Sequence, residues 1–333
     1  MNGFGDSVHE RAVMAALIFC AACFPALVAL AHNGVAVMLL VMGAVVGSRP
    51  EPWRRGVSRF VLRAEASDAV TVLAWSLAGL AAWIALAGLW SPKADASRLA
   101  LNVAAPILAG GAAIWEIARR PGSQVRVLTK VCAAAAAATV LLMLFEAMTG
   151  GAFRALLPPE DLSYERMRDW KELGRGATIM AVTLYPALLL IKRATGRLAL
   201  SLTLLVAAAI AAAMFGIYAN LVGIALGGAA FMLACRWPKS ILIAVGAGFL
   251  AALLLSPLLA VTPAESLVDV GLPLSWEQRL FIWREGARVI FDCMPFGCGP
   301  DFARTLRDAV GVVELPGAPA PLSKMPIHPH SLF

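Results

Sequence analysis

Charge is scarce in this sequence. Only 15% of its 333 residues are Asp, Glu, Lys or Arg, against 60% hydrophobic, and a water-soluble globule of this length could not stay dissolved on that balance. Alternating segments of about ten residues are absent as well, which excludes the strands of an outer-membrane barrel. The apolar residues fall instead in long runs, the mark of membrane-crossing helices. Ionisable residues are missing from the middle of those runs: Glu116, Lys130 and Glu146 stand near predicted ends, whereas an ion-coupled transporter buries Asp, Glu or His along its pathway. No basic stripe or arm is present either. The formal net charge of +7 comes from short loops, so nucleic acid is not an expected partner. Histidine is rare, four in all, and no spacing of His, Cys, Asp and Glu reads as a metal site, so neither metal nor cofactor is expected.

What is present is a series of apolar segments. Windows of about 20 residues find them near 12–31, 33–47, 69–90, 99–118, 127–148, 176–191, 197–215, 217–234 and 239–260. The expected fold is all-α, a polytopic transmembrane helical bundle of about nine spans over 1–261, followed by a long polar segment over 262–333. The second and sixth segments are short and are expected to tilt or to borrow flanking residues. Ala29-Leu30-Ala31 resembles a signal cleavage site, but the run before it is too long and its basic region is only Arg11; an uncleaved span is the better reading. Asn102 and Asn220 are expected to make interhelical hydrogen bonds.

Positive charge sets the orientation. Arg49, Arg54, Arg55, Arg59 and Arg63 fill one loop, Arg119, Arg120 and Arg126 the next alternate one, then Lys192, Arg193 and Arg197, then Arg236 and Lys239. These loops are expected to be cytoplasmic, with the N-terminus, in a multi-pass protein of a bacterial inner membrane. The alternate connections are then external, including the long one from Thr149 to Arg175 and the segment 262–333. Ser331-Leu332-Phe333 reads as the start of another apolar helix, so the sequence is expected to be cut short of further spans.

The external segments hold the residues able to do chemistry. Trp276 to Asp292 fits an amphipathic helix at the membrane, with Arg279 and Trp283 one turn apart on one face and Arg284 and Arg288 on a neighbouring face. A guanidinium carries a permanent charge and a planar fork of donors, which suits Arg279 to a phosphate or diphosphate; pairing with ordinary lipid phosphates or with Glu285 is the plainer alternative. Next comes a glycine-rich turn, Pro295-Phe-Gly-Cys-Gly-Pro300, flanked by Cys293, which could be bonded to Cys298. His328 and His330 follow a proline-rich segment expected to be stiff and extended. A neutral imidazole suits a general base near pH 7, and an ordinary surface histidine is the alternative. Arg175, at the mouth of the sixth span, is either an interfacial anchor or a second cation for an external anion.

Taken together, Arg279-Leu-Phe-Ile-Trp283, Pro295-Phe-Gly297-Cys-Gly299-Pro-Asp-Phe302 and His328-Pro-His330-Ser331 resemble the O-antigen ligase family, which includes related polymerases and some protein O-oligosaccharyltransferases. Leu89-Trp90-Ser91-Pro92, Phe145-Glu146-Ala147-Met148-Thr149-Gly150 and Gly174-Arg175-Gly176-Ala177-Thr178 carry the same flavour. The resemblance implies a GT-C-like, metal-independent, inverting glycosyltransferase of the periplasmic face. It would move a glycan from undecaprenyl diphosphate to a hydroxyl of lipid A-core or of another glycan. On that reading His330 is the base, Arg175 and Arg279 bind the diphosphate, and Arg284 and His328 support them. The family commonly has Asn where this chain has Ser331 and carries more helices after the loop, so the chain as given is expected to lack part of the site. A polymerase, a protein O-oligosaccharyltransferase and a non-catalytic polysaccharide transporter are the competing readings.

Overall fold

The computed structural model describes residues 3–30, 34–47, 69–92, 95–118, 120–156, 165–255, 258, 261–263, 274–293, 296–300, 302–303, 305, 311–314 and 321–324. Nearly all of them are helical. The helices are α1 (Gly3–Leu30), α2 (Gly34–Gly47), α3 (Ala69–Ala87), α4 (Ala96–Ala118), α5 (Gly122–Thr149), α6 (Glu165–Thr195), α7 (Leu198–Met214), α8 (Tyr218–Arg236), α9 (Pro238–Leu255) and α10 (Leu274–Asp292). Each expected apolar segment falls on one of α1 to α9. Among the described residues, five helical segments are long and apolar enough to cross a membrane: Glu10–Leu30, Ala96–Ala118, Gly122–Thr149, Leu173–Thr195 and Tyr218–Arg236. Shorter apolar stretches lie in α2, α3, α7 and α9.

One boundary is corrected. The sixth segment does borrow flanking residues, its apolar span running over Leu173–Thr195, but α6 has 31 residues and begins at Glu165, inside the stretch expected to be a connection. Its first turns, Glu-Arg-Met-Arg-Asp-Trp-Lys-Glu, are polar but made largely of good helix formers, and a hydropathy window sees only the part that suits lipid. Beside the helices, Val312–Val313 (β1) pairs antiparallel with Leu322–Ser323 (β2), while most of the proline-rich stretch lies outside the described residues. The all-α bundle therefore carries a minimal hairpin.

The chain divides into two compact units, Met1–Leu77 with Leu108–Pro238, and Ala78–Ile107 with Lys239–Phe333. In the first, α5 and α6 are central: α5 packs on α1, α6 and α7, and α6 on α1, α7 and α8. Lipid tails are as apolar as leucine, so these helices gain from close backbone approach rather than from escaping water. Small residues supply that approach. Ala207, Ala208, Ala211 and Ala212 form a buried stripe on α7, and Ala133 and Ala135 are buried on α5. Ser201 on α7 donates to the Leu188 carbonyl of α6 at 3.1 Å, and the Tyr185 hydroxyl donates to the Ile224 carbonyl of α8.

In the second unit, α9 exposes Leu242, Ile243, Val245, Phe249 and Leu254, an apolar surface suited to lipid. The amphipathic helix expected over 276–292 is observed as α10. Its buried face holds Phe281, Ile282 and Ala287 and, unusually, Glu277, Arg284 and Glu285.

Candidate functional site

In the first unit, two of the sequence pieces meet at one end of α5 and α6. α5 ends at Gly150, which takes the left-handed conformation at φ 70°, and Gly151 follows at φ 95°; this is the usual glycine stop. The reversed chain folds over Glu146, whose carboxylate is fully buried. It accepts the Phe153 N–H at 2.7 Å and the Arg154 N–H at 3.1 Å, so the burial of a carboxylate is offset by charge-assisted bonds. Arg154 in turn donates to the Leu30 carbonyl at the end of α1.

Facing this cap, Gly176 of α6 lies against α1 so closely that a Cβ there would sit 2.3 Å from the Val28 carbonyl oxygen and 3.4 Å from Met143 Cε. At Gly174 a Cβ would sit 2.7 Å from Ile217 Cδ1. Successive helical residues are turned by about 100°. With Gly174 and Gly176 buried as seats, the residue between them must face the other way, and Arg175 is exposed. It stands at the mouth of the apolar span Leu173–Thr195, as expected, although α6 itself begins earlier at Glu165, and its direction is set by its small neighbours.

In the second unit the remaining described pieces meet. Trp90 Nε1–H donates to the Gly297 carbonyl at 2.9 Å, and Ser91 Oγ donates to the Pro300 carbonyl at 2.8 Å. Cys293 and Cys298 are bonded, with Cα atoms 5.0 Å apart, so the turn holding both acceptors is covalently closed. Gly299 has φ 85°, and a Cβ there would meet Ser91 Cβ at 2.6 Å and the Ala87 carbonyl oxygen at 2.9 Å. Only glycine fits that contact. Trp83, Trp90 and Phe296 complete the joint, with ring centroids 5.8 to 6.4 Å apart.

On α10 the arginines divide. Arg284 is buried; its Nη1 donates to Glu285 Oε1 at 2.7 Å and its Nε to the Thr262 carbonyl at 2.6 Å. This guanidinium anchors α10 within its unit, a structural use that the sequence reading of a supporting cation did not foresee. Arg288 lies 3.6 Å from the same carboxylate. Arg279 is half-buried, with its guanidinium carbon 5.6 Å from the centroid of the Trp276 ring. The sequence reading passed over Trp276, although an i, i+3 pair on a helix was signal enough. Trp283 Nε1 is buried without a hydrogen-bond partner among the described residues, and so is Asn220 Nδ2, so the interhelical bond expected of that amide nitrogen is not among them.

Arg175 belongs to the first unit and Arg279 to the second. His328, His330 and Ser331 lie outside the described residues. Among the described residues, no group of three or more His, Cys, Asp or Glu could hold a metal ion. Helix length and composition make this a helical membrane protein. Comparison with family models, with curated proteins and with solved structures found no match.

Proposed function

We propose that the chain is an O-antigen ligase-like glycosyltransferase of the bacterial inner membrane, with a GT-C-like bundle and its long loop in the periplasm. It transfers a glycan from undecaprenyl diphosphate to a hydroxyl of a lipid A-core acceptor. The observation that carries the reading is the joint between Trp90-Ser91 and Gly297–Pro300: pieces far apart in sequence, singled out for one family resemblance, are bonded to each other. The Glu146 cap and the glycines around Arg175 support it in the same way. The sidedness has two independent supports, the arginine-rich loops and a disulfide, which persists in an oxidising compartment such as the periplasm.

In the reaction, the acceptor oxygen attacks the anomeric carbon as the bond from that carbon to the phosphate oxygen breaks. His330 takes the acceptor proton, and undecaprenyl diphosphate leaves with the bonding pair. Arg175 and Arg279 offset the charge that grows on the leaving oxygen. One displacement inverts the anomeric centre, and no step requires a metal.

The test is complementation. The complete reading frame and its His330→Ala and Arg279→Ala variants are expressed in a ligase-deficient strain with a compatible donor, and glycan attached to lipid A-core is displayed as a ladder. A ladder restored by the parent and lost with His330→Ala at equal membrane abundance supports the ligase and the base. Longer carrier-linked glycan without lipid A attachment replaces the ligase by a polymerase, and glycan on protein replaces it by a protein O-oligosaccharyltransferase. No change in any product rejects glycosyl transfer.

A further inference from the structure

We infer that a cavity in the first unit binds the end of a phospholipid acyl chain at the middle of the bilayer. Its volume is about 250 Å³, and its wall is built from α1, α2, α5 and α6. Three spans fix its depth. Cys20 is the midpoint of Glu10–Leu30, Ala135 and Ala136 straddle the midpoint of Gly122–Thr149, and Leu184 is the midpoint of Leu173–Thr195; all four residues line the cavity. A helix that spans the hydrocarbon core has its midpoint near the plane where the acyl chains of the two leaflets end.

The chemistry of the wall excludes water. An apolar cavity of about 150 Å³ already stays dry and accepts benzene, because a buried water needs polar partners. Here the wall has little to offer one. Thr139 Oγ1 donates to the Ala135 carbonyl at 2.9 Å and Thr183 Oγ1 to the Ile179 carbonyl at 2.8 Å, each within its own helix. The Cys20 thiol donates to the Met38 carbonyl, and no charged side chain lines the cavity among the described residues. Lipid can reach it from the side, since Pro186 in its wall is exposed and Val182, one turn earlier on α6, is 74% exposed. Hydrocarbon already in a bilayer gains nothing there from escaping water. What it gains is dispersion contact with a wall that would otherwise face a gap. A phospholipid acyl chain has its end at this depth, whereas a long polyprenyl tail runs past it.

The experiment uses the full chain in bilayer discs of phosphatidylethanolamine and phosphatidylglycerol, with a trace of a phospholipid bearing a diazirine at the end of one acyl chain. After illumination, adducts are mapped by mass spectrometry, each normalised to the labelling of the same residue in the denatured chain. Adducts on Met38, Cys132, Met180 and Leu184 should exceed that on Val182, at nearly the same depth of α6, by about tenfold, equivalent to about 1.4 kcal/mol of preference. A diazirine beside the headgroup should label none of the four. Ala136→Leu and Ala187→Leu add volume to the wall and should each lower the four adducts several-fold, with the Val182 adduct unchanged as the sign that α6 still stands in lipid. If neither variant reaches the membrane, the pattern of the parent decides alone. Equal labelling of the cavity and Val182 overturns the inference. So does loss of the cavity adducts on adding undecaprenyl phosphate while Val182 stays labelled, because the site then belongs to a polyprenyl tail.

Discussion

Trp90 donates its indole N–H to the carbonyl oxygen of Gly297, 2.9 Å away and 207 positions along the chain. The bond joins the turn after α3 to the turn after α10, and its neighbour from Ser91 to Pro300 makes the junction two-pronged. A single residue between the two acceptors then decides whether the surfaces can meet.

That residue is Gly299. Gly299→Ala puts a methyl group 2.6 Å from Ser91 Cβ and asks alanine to adopt φ 85°. Both effects act in one direction, and together they should cost about 2–4 kcal/mol. The expected outcome is a lower melting temperature in detergent and faster proteolysis of the 293–300 turn. Gly297→Ala, also at positive φ but with nothing near its Cβ, should show the smaller drop.

The disulfide makes a prediction of its own. Closing so short a loop is worth about 2 kcal/mol in chain entropy, and here the loop carries both acceptors. Cys293→Ser/Cys298→Ser should loosen the turn without unfolding the helices, seen as new protease cleavage near Gly297 with unchanged helical circular dichroism. In protein from membranes, neither thiol should react with a maleimide until reductant is added. Labelling before reduction would refute the bond and remove one support for the periplasmic loop.

Glu146 should separate two substitutions that look alike. Glu146→Gln keeps a carbonyl oxygen for one of the Phe153 and Arg154 N–H groups, whereas Glu146→Ala leaves both without that partner. An unmet buried donor costs about 1–3 kcal/mol. The alanine variant should therefore be clearly less stable than the glutamine variant, with abundance in the membrane as a second readout.

The arginines of α10 should part company. Arg284→Ala removes the close partner of a buried carboxylate and the donor to Thr262, a loss of about 3–5 kcal/mol, and should lower abundance severely. Arg279→Ala, at a half-buried position, should lower abundance less than Arg284→Ala does and should abolish diphosphate binding. Equal damage from both would mean that Arg279 is also structural.

Legibility in the sequence followed the physics of each signal. Hydropathy located every one of α1 to α9, because each carries a long apolar run, five of them long enough among the described residues to cross a membrane. It missed the start of α6, since Glu165–Lys171 satisfies the helix and not the bilayer. The turn at 295–300 was legible from its glycines, but its docking to Trp90 and Ser91 was not, because nothing local in either segment encodes a partner so distant. The sequence put Arg279 and Arg284 on neighbouring faces of one helix without showing which of them is buried. Burial separated them, and burial depends on Thr262 and Glu285 arriving from elsewhere on the chain or the helix. The two histidines lie outside the described residues, and their role rests on resemblance and on the experiment above.

The seating of α6 by Gly174 and Gly176 has a consequence for how the chain tolerates change. Arg175 gets its bearing from the phase of a helix, and that phase is pinned at its two small neighbours. A residue inserted among the charged turns at 165–171 would swing everything upstream by about 100° and leave the cation pointing where it did. The same insertion between Thr178 and Thr195 would make the far end of α6 lose register with α7 and α8 before Arg175 moved at all. The helix is thus a compass fixed near one end, and the preceding polar turns can be lengthened or rewritten while the bearing of that one charge stays constant.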